Sequence, residues 1–348
     1  MPLVTNPSEV EEIYDELRAA NVCLPAFCTE NFQTTEAIIK SIHEFGRIFE
    51  IKSPPGIIAF TGTYQYRPQA VNYTLMHNHM LGARAIIEDI KLLISKESPY
   101  RDVRLMIHLD HGQPDTDGEL LDQLEDIATV MFDCSGYPLV ENVRRTAQFV
   151  EKTRSKVRVE GAVEEISVTG KAEYNNLTTV EMAERFVRET GVYLIVPNLG
   201  TEQQSTENEA LYSAKRAREI SEKVGKKLVL HGTSGVRIAD LKGLPNDGII
   251  RTNIWTALEK AGCQAEALYI IKELGNILDE TQIRLLQEEN FLGNRYLNKE
   301  YRENCCGGKL LPKVEKMIIT ARSEVWTRAV MEKIGFYLDT LGYRKLKV

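Results

Sequence analysis

Short apolar runs alternate with segments of helical periodicity over the first two-thirds of the chain. Eight of these runs read as strands: NVCLPAFC (21–28), GIIAF (56–60), RLMIHLD (104–110), TVMFDCS (129–135), VRVEGAV (157–163), VYLIVPN (192–198), KKLVLHG (226–232) and GIIRTNI (248–254). Between them, stretches such as TTEAIIKSIHEFG, GELLDQLEDIA, PLVENVRRTAQFVEKTRS, TTVEMAERFVRETG and ALYSAKRAREISEKVG carry apolar residues at i, i+3 and i+4, and often end in Gly or a basic turn. That spacing predicts amphipathic helices. Strand and helix in strict alternation imply parallel strands joined by right-handed crossovers, and eight such units in about 250 residues is the count that closes a (β/α)8 barrel. A doubly wound open sheet is the other arrangement with this alternation, but no G-x-G-x-x-G follows the first strand.

Beyond residue 255 the pattern is helical throughout, in LEKAGCQAEALYIIKELG, DETQIRLLQEEN and VEKMIITARSEVWTRAVMEKIGFYLDTLG, with the flexible stretch YRENCCGGKLLP between them. The expected division is a catalytic barrel over residues 1–275 and a C-terminal helical extension over 276–348, packed on the barrel or on a partner subunit. Cys305 and Cys306 beside Gly307 and Gly308 read as a turn with incidental thiols, a redox pair being the alternative.

Composition narrows the partners. The 348 residues are 43% hydrophobic and 27% charged, enough to bury a large core. The net charge of −7 comes from 43 basic and 50 acidic side chains spread without blocks, so no basic stripe points to nucleic acid or an anionic membrane. A small molecule is the expected partner. The six cysteines show no C-x-x-C spacing and suit free thiols in a reducing compartment. With no apolar leader segment and no long apolar span, a cytoplasmic location is expected.

In a β/α barrel the chemistry sits at the C-terminal ends of the strands. The third strand ends in His108, Asp110 and His111; the fourth in Asp133, Cys134 and Ser135; the fifth in Glu160, Glu164 and Glu165. The sixth ends in Asn198 followed by LGTEQQST, the seventh in His231 followed by GTSG, and the eighth in Asn253 and Thr256. Burying one charge alone is costly, so convergence of these groups on one rim is hard to attribute to packing. His108 and Asp110, two apart, share a face of an extended segment, while His111 begins the loop. A divalent cation such as zinc takes three or four N, O or S ligands, and His111 with His231 is the evident pair. A single histidine at such a place is an ordinary hydrogen-bonded residue; two on one rim shift the balance toward metal. HGTSG and RTNIWTAL are a second signal, because small residues there let backbone N–H groups approach an anion, and the loops after strands seven and eight are the usual phosphate pocket of this architecture. A Gly-rich turn with a capping Thr is the plain alternative.

On these residues the chain resembles the class II, metal-dependent fructose-bisphosphate aldolase family, which includes tagatose-bisphosphate aldolases. PAFCTENFQTTEAII is similar to the family's opening strand and helix, IHLDHG to its H-x-D-H motif, VMFDCSGYPLVENV to its fourth strand and helix, VLHGTSG to its H-G-G-S-G, and IIRTNIWTAL to its N-I-D-T segment. The match spans roughly residues 20 to 265. The resemblance implies that His111 and His231 are metal ligands and that Asp110, with His108 as its neighbour, is the acid serving the aldehyde oxygen. It implies that Gly232, Ser234, Gly235, Asn253 and Thr256 hold the phosphate and hydroxyls of a dihydroxyacetone-phosphate-like ketose. It also implies a Lewis-acid metal, Zn2+, that polarises the ketone and stabilises an enediolate.

The chain departs from the family's pattern at several places. Gln203 stands where the family has a third histidine and Gln204 where a glycine follows it, with Glu202 the other candidate ligand nearby; an amide is a poorer zinc ligand than imidazole. Ala162 replaces the second glutamate of V-E-x-E. The loop that carries the proton-abstracting glutamate reads SVTGKAEYNN, leaving Glu173 in that role, and Trp255 replaces the aspartate of N-I-D-T. The expected function is therefore an aldehyde-lyase of carbohydrate metabolism acting on a phosphorylated ketose other than fructose 1,6-bisphosphate, in a homodimer or homotetramer. The alternatives are a metal-independent acid–base enzyme on a sugar phosphate and a silent relative that only binds one.

Overall fold

The computed structural model describes residues 3–166, 177–206 and 211–347. All eight expected strands form: β1 (Leu24–Cys28), β2 (Pro55–Thr61), β3 (Arg104–Gly112), β4 (Thr129–Phe132), β5 (Arg158–Ala162), β6 (Leu194–Val196), β7 (Leu228–Leu230) and β8 (Ile249–Ile254). Every neighbouring pair is parallel, and β8 pairs back onto β1 with Asn253 opposite Ala26. The sheet is thus a closed (β/α)8 TIM barrel with additional C-terminal helices. β1 and β2 are buried along their whole length, which is why they read as unbroken apolar runs rather than alternating ones.

A two-residue strand, Leu3–Val4, was not expected. It pairs with Leu105 and Met106 of β3. The register explains its place: β4 joins β3 only from His108 opposite Thr129 onward, leaving the start of β3 with a free edge that the N-terminal segment fills.

The covering helices begin and end where local chemistry dictates. The helix Phe32–Ile48 starts at Asn31, whose side chain accepts from the Thr34 N–H at 2.9 Å, and buries Ile38, Ile42 and Phe45. Val180–Thr190 starts at Thr179 and stops at Gly191, whose φ of +69° suits glycine. Residues up to Ala257 together with those from Ile334 onward form one compact unit, and Leu258–Lys333 form a second. In the second unit, Ile283, Tyr301, Cys306 and Leu310 make a small apolar core. The stretch expected to be flexible contains a helix, Lys299–Cys306, capped by Asn298 and ended by Gly307 at φ +68°. Cys306 lies in that core while Cys305 is exposed, so the two adjacent thiols occupy different surroundings.

The axis of the barrel departs from the branched apolar filling usual in this architecture. His108 and Asp110 from β3, Glu160 from β5 and Arg251 and Asn253 from β8 are all buried there.

Candidate active site

β3 carries the densest chemistry. His108 and Asp110 face inward together, as two residues on one side of a strand must. His111 does not begin a loop: β3 continues to Gly112, and the pairing with β4 shifts register between Leu109 and Gly112. At that bulge His111 takes φ +48°, a left-handed backbone uncommon for a side chain of its size. The bulge turns its ring to the rim, where it stacks on Tyr64 with centroids 4.0 Å apart. His111 Nδ1 lies 2.6 Å from Asp133 Oδ2, and its buried Nε2 has no hydrogen-bond partner among the described residues.

His231, at the end of β7, is buried with its ring 5.1 Å from that of His111 and nearly perpendicular to it. Asp110, His111 and His231 each offer a donor atom, and the three lie within 4.8 Å of one another. Two imidazoles and a carboxylate at this spacing match the composition of a divalent-cation site with an open position. The orphaned His111 Nε2, with Nδ1 fixed by a carboxylate, is the arrangement a metal-binding histidine requires. Three buried carboxylates surround the cluster, Asp110 paired with Arg67, Glu160 with Arg251 and Asp133 with His111.

The protonation states follow from the surroundings. Burial alone would raise Asp110, but His111, the His108 hydrogen bond, His231 and Arg67 together hold it well below the usual carboxylate range. Arg67 Nη2 donates to its Oδ2 at 2.5 Å and Asn253 Nδ2 to its Oδ1 at 3.0 Å. Burial and the neighbouring Arg251 push His108 down, so its imidazole is neutral at pH 7. Burial opposes the charging of His111, yet Asp110 and Asp133 outweigh it and raise its pKa.

The turn after β7 supplies Gly232 and Ser234, and the end of β8 supplies Asn253 and Thr256, to one cleft with Asp110, His231, Gln203, Gln204, Arg67 and Trp255, a narrow space of about 30 Å³. Gly232 has φ +67°, and a Cβ there would fall 2.5 Å from the Glu202 carbonyl oxygen, so the turn needs glycine. Gly235 lies buried within the turn and donates its N–H to the Gly232 carbonyl at 3.1 Å. Ser234 Oγ accepts from the Ala257 N–H at 3.1 Å.

Gln203 forms wall in this cleft and in a larger neighbouring cavity on the His111 side. Its amide oxygen accepts from the Tyr64 hydroxyl at 3.3 Å. Glu173 lies outside the described residues. Of the remaining histidines, His43 bonds Asp102 at 2.7 Å on an outer helix, and His77 is exposed.

Arg67 and Tyr64 were not foreseen from the sequence: both lie in FTGTYQYRP at the end of β2, where no histidine or carboxylate marks the strand end. Arg67 also sits over the Trp255 ring, 5.2 Å from its centroid. Arg251 was missed although its signal was present, a lone charge inside the apolar run GIIRTNI.

A family model described as fructose-bisphosphate aldolase class-II matches residues 8–305. Among solved structures, the fructose-bisphosphate aldolase of Campylobacter jejuni is similar at 17% identity and a TM-score of 0.72, over 97% of this chain and 96% of that one. The YdjI aldolase of Escherichia coli K12 is similar at 17% identity and a TM-score of 0.63, over 96% of each chain. At such identities the structures establish the shared fold, and the family match goes further: this chain belongs to the class-II fructose-bisphosphate aldolase family.

Proposed function

We propose that the protein is a lyase that cleaves or forms a carbon–carbon bond in a phosphorylated ketose other than fructose 1,6-bisphosphate. The observation that carries this reading is the buried, unpartnered His111 Nε2, oriented by Asp133 and clustered with His231 and Asp110 beside the Gly232–Ser234 turn. His111 and His231 would hold a divalent cation, zinc by the nature of the donors. Gln203, on the wall shared by both spaces, would add a third ligand through its amide oxygen. Such an ion would supply Lewis-acid polarisation of the ketose carbonyl.

The residues of the chain account for the rest. Gly232 and Ser234 present small groups and backbone N–H donors to the phosphate, and Arg67, with an unpartnered Nε, brings positive charge to the same end. Asp110 is a carboxylate at neutral pH, the form needed to accept the proton of the hydroxyl on the carbon that becomes the aldehyde. As the carbon–carbon bond breaks, the hydroxyl oxygen becomes the aldehyde oxygen and the bond's electron pair stays with the phosphate-bearing fragment, whose carbon then takes a proton from solvent. In condensation Asp110 returns the proton to the new hydroxyl. His108, neutral and anchored through Nδ1 to Thr129, positions Asp110 with its Nε2 3.6 Å from Oδ1.

The test is metal content of the purified protein together with retro-aldol activity before and after chelation. Stoichiometric zinc and cleavage that stops on chelation and returns with zinc are expected. Cleavage indifferent to chelator overturns the metal part of the reading, and ketose-phosphate binding without turnover overturns the enzyme.

A further inference from the structure

We infer that the substrate carries a single phosphate and that its far end is an uncharged polyhydroxyl chain, seated in the cavity on the His111 side; this deepens the lyase reading above and rests on it. Two spaces meet at the histidine pair and share Gln203 as a wall, and they differ in charge. The cleft on the His231 side holds the Gly232–Ser234 turn and the guanidinium of Arg67, whose Nη2 pairs with Asp110 on the same wall while its Nε has no hydrogen-bond partner among the described residues. The other cavity, of about 350 Å³, is lined by Tyr64, Tyr66 and Tyr137 and by the carboxylates of Asp115, Asp133 and Glu165. Among the described residues on its wall there is no lysine or arginine.

Among the described residues, Arg145 stands behind that wall, its Cζ 4.2 Å from the centre of the Tyr137 ring. It is bound to Glu141 at 2.7 Å, which Arg144 shares at 2.6 Å, and to Asp115 at 3.3 Å, so the two guanidiniums and two carboxylates balance. A second phosphate would bring a charge of about −2 against Glu165, with no unmatched cation on the described wall to receive it, and a like-charge contact of this kind is how a site rejects the wrong ligand. Hydroxyl groups instead find acceptors in those carboxylates, and tyrosine faces offer the amphipathic surface that the C–H side of a sugar chain fits. The volume equals roughly ten waters at about 30 Å³ each, room for several hydroxylated carbons beyond the bond that breaks.

The condensation direction tests this with dihydroxyacetone phosphate as donor and, as acceptors, both enantiomers of glyceraldehyde and of glyceraldehyde 3-phosphate. Deuterium exchange into dihydroxyacetone phosphate alone, read by NMR on the zinc-loaded protein, reports the lyase half-reaction independently of any acceptor. Expected are exchange and a kcat/KM at least tenfold higher for the better glyceraldehyde than for either phosphorylated form. Asp115→Lys, at an exposed position, is expected to shift that ratio toward glyceraldehyde 3-phosphate by tenfold or more. Exchange accompanied by equal or better use of glyceraldehyde 3-phosphate, or by use of no aldehyde, overturns the inference and leaves the lyase reading standing. Absence of exchange overturns both.

Discussion

Replacing Asp133 by asparagine tests whether His111 is oriented as a metal ligand. Asp133 Oδ2 sits 2.6 Å from His111 Nδ1, while its Oδ1 accepts from the Ser135 hydroxyl at 2.6 Å and the Ser135 N–H at 3.1 Å. Burial raises its pKa, but the His111 hydrogen bond and charge and the Ser135 contacts more than compensate, holding it at about 2 against the ordinary 3.8. A carboxylate stabilised to that degree is worth roughly 2 kcal/mol, with Ser135 sharing the credit. Asparagine keeps an acceptor for Nδ1–H and removes only the charge, so the expected loss in zinc affinity is about 10- to 100-fold, as for other carboxylate partners of metal-binding histidines. Competition against a chromophoric chelator measures it, with circular dichroism confirming the fold. Zinc affinity within twofold of wild type in a folded variant would refute the orientation argument. The folded pKa is the lower one, so the charge's contribution to stability is present at neutral pH and is lost as pH falls from 3.8 through about 2. The metal-free variant should therefore lose the part of the wild type's acid transition that Asp133 supplies.

Asp110→Asn should lower retro-aldol kcat by about 10²- to 10⁴-fold, the span expected for a proton-transfer group, with zinc content unchanged; loss of zinc would make Asp110 a ligand instead of a proton carrier. Gln203→His should tighten zinc binding by tenfold or more in the same chelator competition, because imidazole replaces an amide at the third position, and unchanged affinity would remove Gln203 from the donor set. Burial pushes Cys28 and Cys134 up to about 12, so alkylation at pH 8 should reach the exposed Cys263 and Cys305 while sparing these two in the folded protein; mass spectrometry of the modified peptides shows which thiols react.

The barrel was legible because each strand is buried on both faces and therefore contiguous in sequence, and because each covering helix repeats its apolar face. The site was legible where its residues end a strand: His111, His231 and Asp110 come from β3 and β7 into one cluster. Leu3–Val4 was not legible, since two residues carry no periodicity and their pairing depends on where β4 joins β3. Nor was the conformation of His111, because the bulge that turns it arises from a register shift between two strands 20 residues apart in the chain. Arg67 escaped for a related reason. Its role is set by the carboxylate it meets on the neighbouring strand, where Thr61 of β2 lies opposite Asp110 of β3, and nothing adjacent to it in sequence announces that contact.

The charges in the barrel axis explain how so many polar groups persist beneath one rim. Arg251, fully buried, pairs with Glu160 and approaches His108 Nε2 at 3.2 Å. Glu160 in turn lies 3.3 Å from His231 Nε2, and His108 lies beneath Asp110. Asp110 and His231 thus each rest on a partner that is itself tied to the same guanidinium. Removing Arg251 alone would strand a buried carboxylate, a loss of the order of 3–5 kcal/mol, and would release His108 and Glu160 together. An apolar filling of the axis would spare that vulnerability, but it would take His108 from beneath Asp110 and Glu160 from beside His231. Precise placement of catalytic groups depends on the residues that support them, and here the support runs from β8 through β5 and β3 to both sides of the proposed cation site.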